Sequence, residues 1–192
     1  MSFKSIALAS LLALPLSALA DWQLAGDDSS VNFVSVKKSN IPEMHHFKSM
    51  SGGISDEGKA QLTIDLASVE TNIPIRNERM QKMLFNTAKF AKATISTDVD
   101  AEKLKGLKAG ESMAVDANVT VEVHGETKTE KAMLQVTGLE GGKLLVTTST
   151  PIIVNAGNYK LLEGIEKLRE VAGLDSISPI VPVTAKLVFM QK

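Results

Sequence analysis

Arg76 and Arg79 stand three residues apart, a spacing that brings two side chains together on one face of a helix. A planar guanidinium fork suits recognition of a phosphate. The same spacing equally fits a solvated helix face on which both arginines pair with nearby acids. Only three histidines occur. His45 and His46 are adjacent, and neighbours on a strand point to opposite faces, so the two cannot easily share one ion. The pair reads more simply as a solvated loop after Pro42. His124 is in phase with Asp116 and Glu122 beside Gly125, which points to a surface or turn role. Asp27 and Asp28 sit in a turn signal, where adjacent acids serve turn formation. With no cysteine in the chain, disulfides, thiolate catalysis and thiolate-bound metals are excluded. No Gly-rich phosphate loop, nucleophile elbow or zinc signature occurs. These residue types point to binding rather than catalysis, and no metal site is expected.

The chain of 192 residues carries 21 basic and 22 acidic side chains, for a net charge of −1. That balance argues against nucleic acid as a partner. Residues 1–20 read as a secretory signal peptide: Lys4, an apolar run from Ile6 to Leu19, and Ala18-Leu19-Ala20 before the polar Asp21. The run is too short for a comfortable membrane span. Cleavage is predicted after Ala20, which leaves residues 21–192 as one domain in the periplasm of a bacterium. Losing Lys4 takes the net charge from −1 to −2, so the mature protein has no global pull on anions.

The elements that must position these groups are mostly strands. Period-two alternation marks half-buried strands. From Ser112 to His124, Met113, Val115, Ala117, Val119, Val121 and Val123 share one face. Leu62-Ile64-Leu66, Ala93-Ile95-Thr97-Val99, Ala132-Leu134-Val136 and Val183-Ala185-Leu187-Phe189 repeat the pattern. Weaker candidates are Trp22–Ala25, Val31–Lys37, Phe47–Ile54 and Leu144–Val154, with Pro151 marking an edge or a bulge in the last. Gly125 reads as a tight hairpin. Two segments are helical instead. Ile75–Phe85 has Ile75, Met80 and Met83–Leu84 at near-helical spacing. Tyr159–Ala172 places Leu161, Leu162, Ile165, Leu168, Val171 and Ala172 on one face, with Gly173 as its stop. Short strands joined by short turns imply antiparallel pairing, in a closed barrel or a sandwich. Aromatics are only 4% of the chain while 44% is hydrophobic. A small-residue wall leaves space for a ligand, and Leu and Met filling the interior would read the same way.

Several segments together resemble the YceI-like family of exported lipid-binding proteins. They are Trp22-Gln-Leu-Ala25 with Ser30-Val-Asn-Phe33, Leu66-Ala-Ser-Val-Glu-Thr-Asn72 with Arg76-Asn-Glu-Arg-Met80, Phe85-Asn and Phe90, and Val121-Glu-Val-His-Gly125-Glu-Thr-Lys128. The resemblance implies an extended antiparallel lipocalin-like β-barrel of about eight strands, with one or two capping helices. Its pore would hold a polyisoprenoid lipid or quinone, with no other cofactor, for carriage or sequestration. It leaves room for transient contact with a membrane or membrane protein, and it leaves the oligomeric state open. Candidate ligand contacts are Phe33, Ile64, Arg76, Asn77, Arg79, Met80, Met83, Leu84, Phe85, Ile95, Val119 and Val121. Asn77 would donate to a quinone carbonyl or a phosphate oxygen. Asn77 stands where the family usually has Asp, Arg79-Met80 replaces His-Leu, and Ala91 follows Phe90 where Pro is typical. The usual C-terminal Arg- and Gly-containing pattern is replaced by Ile153–Gly157 and the helix after it. Alternatives are an envelope stress or interaction protein without lipid, and an enzyme acting on a lipid or quinone.

Overall fold

The computed structural model describes residues 21–192; the proposed signal peptide, 1–20, lies outside the described residues. Twelve strands form one antiparallel sheet: β1 (Trp22–Leu24), β2 (Ser30–Lys37), β3 (Ile41–Phe47), β4 (Met50–Ile54), β5 (Lys59–Asp65), β6 (Val69–Glu70), β7 (Lys92–Asp98), β8 (Ser112–Val123), β9 (Glu126–Leu139), β10 (Lys143–Thr148), β11 (Ile152–Asn155) and β12 (Ile180–Gln191). The order β1-β4-β5-β7-β8-β9-β10-β12 closes on itself, because β12 also pairs with β1 from Leu24↔Phe189 to Trp22↔Gln191. The protein is therefore a closed eight-stranded antiparallel barrel. The other four strands lengthen it. β2 pairs with the first half of β12 and with β3, β6 extends the edge of β3, and β11 continues beyond β10 along β12. Pro151 marks the break that divides the predicted Leu144–Val154 run into β10 and β11. The predicted Phe47–Ile54 run also divides, with Phe47 ending β3.

Closure removes the unpaired sheet edge, and alternation then fixes which residues face inward. The apolar face of β8 points into the barrel, with Ala117 and Val119 buried. β8 and β9 pair without interruption from Val123↔Glu126 to Ser112↔Thr137. His124 (φ 54°) and Gly125 (φ 77°) make the two-residue turn between them, the left-handed pair that matches strand twist. The His124 ring packs on Phe90 with centroids 4.5 Å apart. A Cβ on Gly125 would lie 3.0 Å from Phe90 Cε1, whereas one on Gly110 (φ 85°) meets nothing. Each alanine substitution is expected to cost about 1–2 kcal/mol for its left-handed backbone. Gly125→Ala should cost more than Gly110→Ala because Phe90 must also move. Equal denaturant midpoints for the two variants would remove Phe90 from the explanation.

One end of the barrel is plugged. Trp22, Leu104, Val136, Leu144 and Phe189 belong to the buried core, and Trp22 Nε1 donates to the Gly142 carbonyl at 3.2 Å. Leu104 comes from α1 (Ala101–Gly106), a helix the strand pattern did not reveal. The Asp100 side chain caps it by accepting from the Lys103 N–H.

The opposite end carries the two predicted helical segments, both altered in detail. The first begins as α-helix over Pro74–Arg79, with Pro at the position that needs no N–H donor. It continues as a π-helical turn over Met80–Phe85 and stops at Asn86 in the left-handed region. The second is shorter than Tyr159–Ala172. A 3-10 turn, Ala156–Tyr159, ends at Lys160 with φ 55°, and the α-helix α2 covers Leu162–Val171. Tyr159 is fully buried and donates from its hydroxyl to Glu130 Oε1 at 2.8 Å, which pins the turn to β9. Gly173 N donates to the Glu170 carbonyl and Leu174 N to the Arg169 carbonyl, the paired bonds of a glycine helix stop. Leu161, just before α2, together with Ile165, Leu168 and Val171 of the helix and Ala172 after it, faces the cavity. Leu162 itself is exposed, contrary to the predicted face.

Candidate functional site

The barrel encloses a cavity of about 830 Å³, at the upper end of the roughly 300–1,000 Å³ range of small-molecule pockets. Val31, Phe33 and Phe47 line it from β2 and β3, Leu62 and Ile64 from β5, and Ala93 and Ile95 from β7. The opposite wall is Val115, Val119, Val121 and Val123 of β8, Ala132, Leu134 and Val136 of β9, and Val181, Val183, Ala185 and Leu187 of β12. These are the small aliphatic residues of the alternating runs. The interior is open rather than filled.

The lid narrows the cavity at the unplugged end. A π turn hydrogen-bonds from i to i+5 rather than i+4. That wider turn places Leu84 and Phe85 beneath Met80, and all three line the cavity. Met83 was predicted there on α-helical spacing; the π turn rotates it off the wall. The helix α2 crosses this turn closely. A Cβ on Gly164 would fall 2.7 Å from both Leu84 Cα and the Met83 carbonyl oxygen. Gly164, a weak point by helix propensity alone, is thus what lets α2 approach the turn.

The polar groups lie at the mouth. Arg76 donates from one terminal nitrogen to Glu43 Oε2 at 2.9 Å and from the other to the Thr71 carbonyl at 2.7 Å. Lys37 Nζ reaches the same Glu43 oxygen at 3.0 Å. Burial pushes the Glu43 carboxyl up, but the hydrogen bonds from Lys37 and Arg76 outweigh it and hold it below the usual carboxylate range. Arg76 therefore pairs with an acid, as the solvated-face reading expected, although it is only partly exposed. Arg79 lines the mouth, and its side chain has no hydrogen bond or ion pair among the described residues. Asn77, predicted as a ligand donor, is off the wall. Its Oδ1 accepts from Thr71 N at 2.9 Å and Thr71 Oγ1 at 2.6 Å, and its Nδ2 donates to Glu70 Oε1 at 2.9 Å. Both ends of the amide are used in fixing this helix to β6. Hydrogen bonds from Asn77, Lys48 and the Asn72 N–H hold the Glu70 carboxyl down at about 2.

His45 is the residue that sequence reasoning misplaced. It lies on β3 rather than in a loop, is 2% exposed and lines the cavity. Pro42 is compatible with this strand because only the Phe47 end of β3 meets β6, leaving the Pro42 end at an edge. His46 points to the other face, as expected for adjacent strand residues. The His45 Nε2 and Ser35 Oγ are 2.9 Å apart, and its ring meets Phe33 edge-on at 5.3 Å. The available signal was the His45-x-Phe47 period matching Phe33-x-Ser35 on the paired strand.

Burial pushes the His45 pKa down, Arg76 adds to this, and Glu43 opposes it. The folded state thus binds a proton less readily than the unfolded chain. Its contribution to stability is complete above the ordinary imidazole value of about 6.5 and is lost as pH falls through the lower folded value. Denaturant midpoints are expected to drop between about pH 7.5 and about pH 5. His45→Gln should flatten that slope, while an unchanged slope would assign it to other groups.

Residues 22–189 match the YceI-like domain. The chain belongs to the YceI-like family. A polyisoprenoid-binding domain from Saccharophagus degradans, implicated in plant cell wall breakdown, has a similar structure with a TM-score of 0.88 and 40% identity, covering 90% of this chain and 99% of its own. BcnA of Burkholderia cenocepacia shares the YceI-like fold, with a TM-score of 0.62 and 20% identity over 86% of this chain and 98% of its own. No functionally curated protein matches the chain. Within the YceI-like frame, Phe33, Ile64, Arg76, Arg79, Met80, Leu84, Phe85, Ile95, Val119 and Val121 lie on the cavity wall, whereas Asn77 and Met83 do not.

Proposed function

We propose that this YceI-like chain is an exported, periplasmic binding protein that holds a long isoprenoid lipid by its tail, for carriage or sequestration. The observation that carries this reading is the open aliphatic cavity of about 830 Å³, lined on one side by the helical segments that carry Met80, Leu84, Phe85, Ile165 and Leu168. The polyisoprenoid-binding neighbour at 40% identity supports the ligand class. Burying on the order of 500 Å² of tail would contribute ~12 kcal/mol gross. Association costs of ~4 kcal/mol or more leave enough for about micromolar binding. Tail burial rather than turnover is the proposed activity, since the wall is mostly aliphatic.

The test is titration of the empty protein with a prenylated quinone and a prenyl phosphate of equal tail length. Both should bind, and affinity should fall with tail truncation. Arg79→Gln should weaken the phosphate by no more than about fivefold, since a partly exposed charge contact is worth at most ~1 kcal/mol. It should leave the neutral quinone unaffected. No binding of either ligand would defeat the proposal.

A further inference from the structure

The cavity wall changes in chemistry along β2 and β3. In register, Val31 lies opposite Phe47, Phe33 opposite His45, and Ser35 opposite Glu43. All six side chains line the cavity, and so does Lys37, one step beyond Ser35. Each step of two residues along a strand spans about 6.6 Å. The wall therefore runs from apolar, through neutral polar, to charged as it nears the β2–β3 hairpin.

The middle of that gradient holds a polar pair. Ser35 Oγ and His45 Nε2 are 2.9 Å apart, and the Ser35 hydroxyl has no second partner among the described residues. Burial, helped by the Arg76 charge, favours the uncharged form of the His45 ring. Aromatic side chains gather at the same place. The His45 ring is 5.3 Å from Phe33, Phe33 is 5.3 Å from Phe47, and Phe47 is 6.0 Å from Phe85 of the π turn. An isoprenoid tail needs none of this, since aliphatic side chains suffice to bury it, as they do on β8 and β9. Aromatic faces and edges suit a flat conjugated ring. A hydroxyl held by a neutral imidazole suits an uncharged oxygen acceptor.

We infer that Ser35 and His45 form a head-group subsite, which holds the carbonyl oxygen of a flat, uncharged head such as a quinone ring beside Phe33, Phe47 and Phe85. The inference rests on the lipid-binding reading and adds to it which head the cavity selects. When Nε2 carries the ring proton, it donates to Ser35 Oγ and leaves the hydroxyl proton free for the carbonyl. A phosphate head is placed differently. Stripping water from an anion beside a neutral pair is costly, so a phosphate stays at the outer step beside Lys37, Arg76 and Arg79.

The test compares a prenylated quinone with a prenyl phosphate of equal tail length, on the wild type and on the double variant Ser35→Ala with His45→Leu. Replacing both partners of a hydrogen bond leaves no orphaned polar group, so the double variant should fold, with circular dichroism as the check. Quinone affinity should fall about fivefold, while phosphate affinity stays within about twofold of the wild type. Infrared spectroscopy gives a readout that needs no variant. In the wild type, a carbonyl stretch of the bound quinone should lie below its position in hydrocarbon solvent, and in the double variant it should return to that position. A stretch at the hydrocarbon position in the wild type would overturn the subsite. So would unchanged quinone affinity, or equal loss of both ligands, in the folded double variant. A wild type that binds neither ligand defeats the lipid-binding reading instead.

Discussion

Replacing Val121 with Trp should leave a folded barrel that has lost most of its capacity for lipid. Val121 pairs with Ile95 across the β7–β8 seam, and both side chains line the cavity. A cavity of about 830 Å³ cannot take an indole in place of an isopropyl group without losing volume that a tail would occupy. Overpacking costs about 1–3 kcal/mol in a filled core; here the open space should keep the cost at the low end. Lipid affinity should fall by at least about tenfold, which corresponds to ~1.4 kcal/mol. The comparison is with Glu122→Trp, one residue along the same strand and on the exposed outer face. If Val121→Trp folds and binds as the wild type does, β8 is not part of the binding wall.

A second large effect is expected at Gly164. Its substitution by Val places a branched side chain where Leu84 Cα and the Met83 carbonyl already lie 2.7 Å from an added Cβ. Those neighbours are backbone, so α2 must lift from the π turn. The expected cost is about 2 kcal/mol of stability. The larger consequence should be functional: with the lid displaced, a bound tail should leave at least about tenfold faster, while affinity for short tails held deeper in the barrel changes little. Stopped-flow transfer to an acceptor vesicle measures this. An unchanged release rate in a destabilised variant would make α2 a purely structural cap.

The barrel was legible in the sequence because alternation is a strong local signal. The β8 run Met113 to Val123 is inward-facing along its length, and the His124-Gly125 turn fell where the period stopped. Strand breaks were harder, since the alternation of Phe47–Ile54 and of Leu144–Val154 runs on through points where the chain leaves one strand, at Phe47 and at Thr148, and begins the next, at Met50 and at Ile152. The lid was read on the wrong pitch. Met80, Met83 and Leu84 fit an α-helix as well as a π turn, and only the hydrogen bonding selects Leu84 and Phe85 over Met83 for the wall. Asn77 carries no sequence mark to show that Thr71 and Glu70 occupy its amide. His45 was misjudged because Pro42 suggested a loop, and Pro at a free strand edge leaves the same trace. The role of Gly164 was invisible for a related reason: propensity scores a glycine by its own backbone, whereas its use here depends on a turn eighty residues earlier in the chain.

Native mass spectrometry of protein exported with its own first twenty residues, recovered from the periplasm, tests the lipid-holding proposal most directly. The expected spectrum shows a chain beginning at Asp21 with one isoprenoid molecule bound. Organic extraction should then release that molecule and leave a folded barrel that rebinds a prenylated quinone. A chain at its empty mass, which takes up neither a prenylated quinone nor a prenyl phosphate when these are supplied, would contradict it.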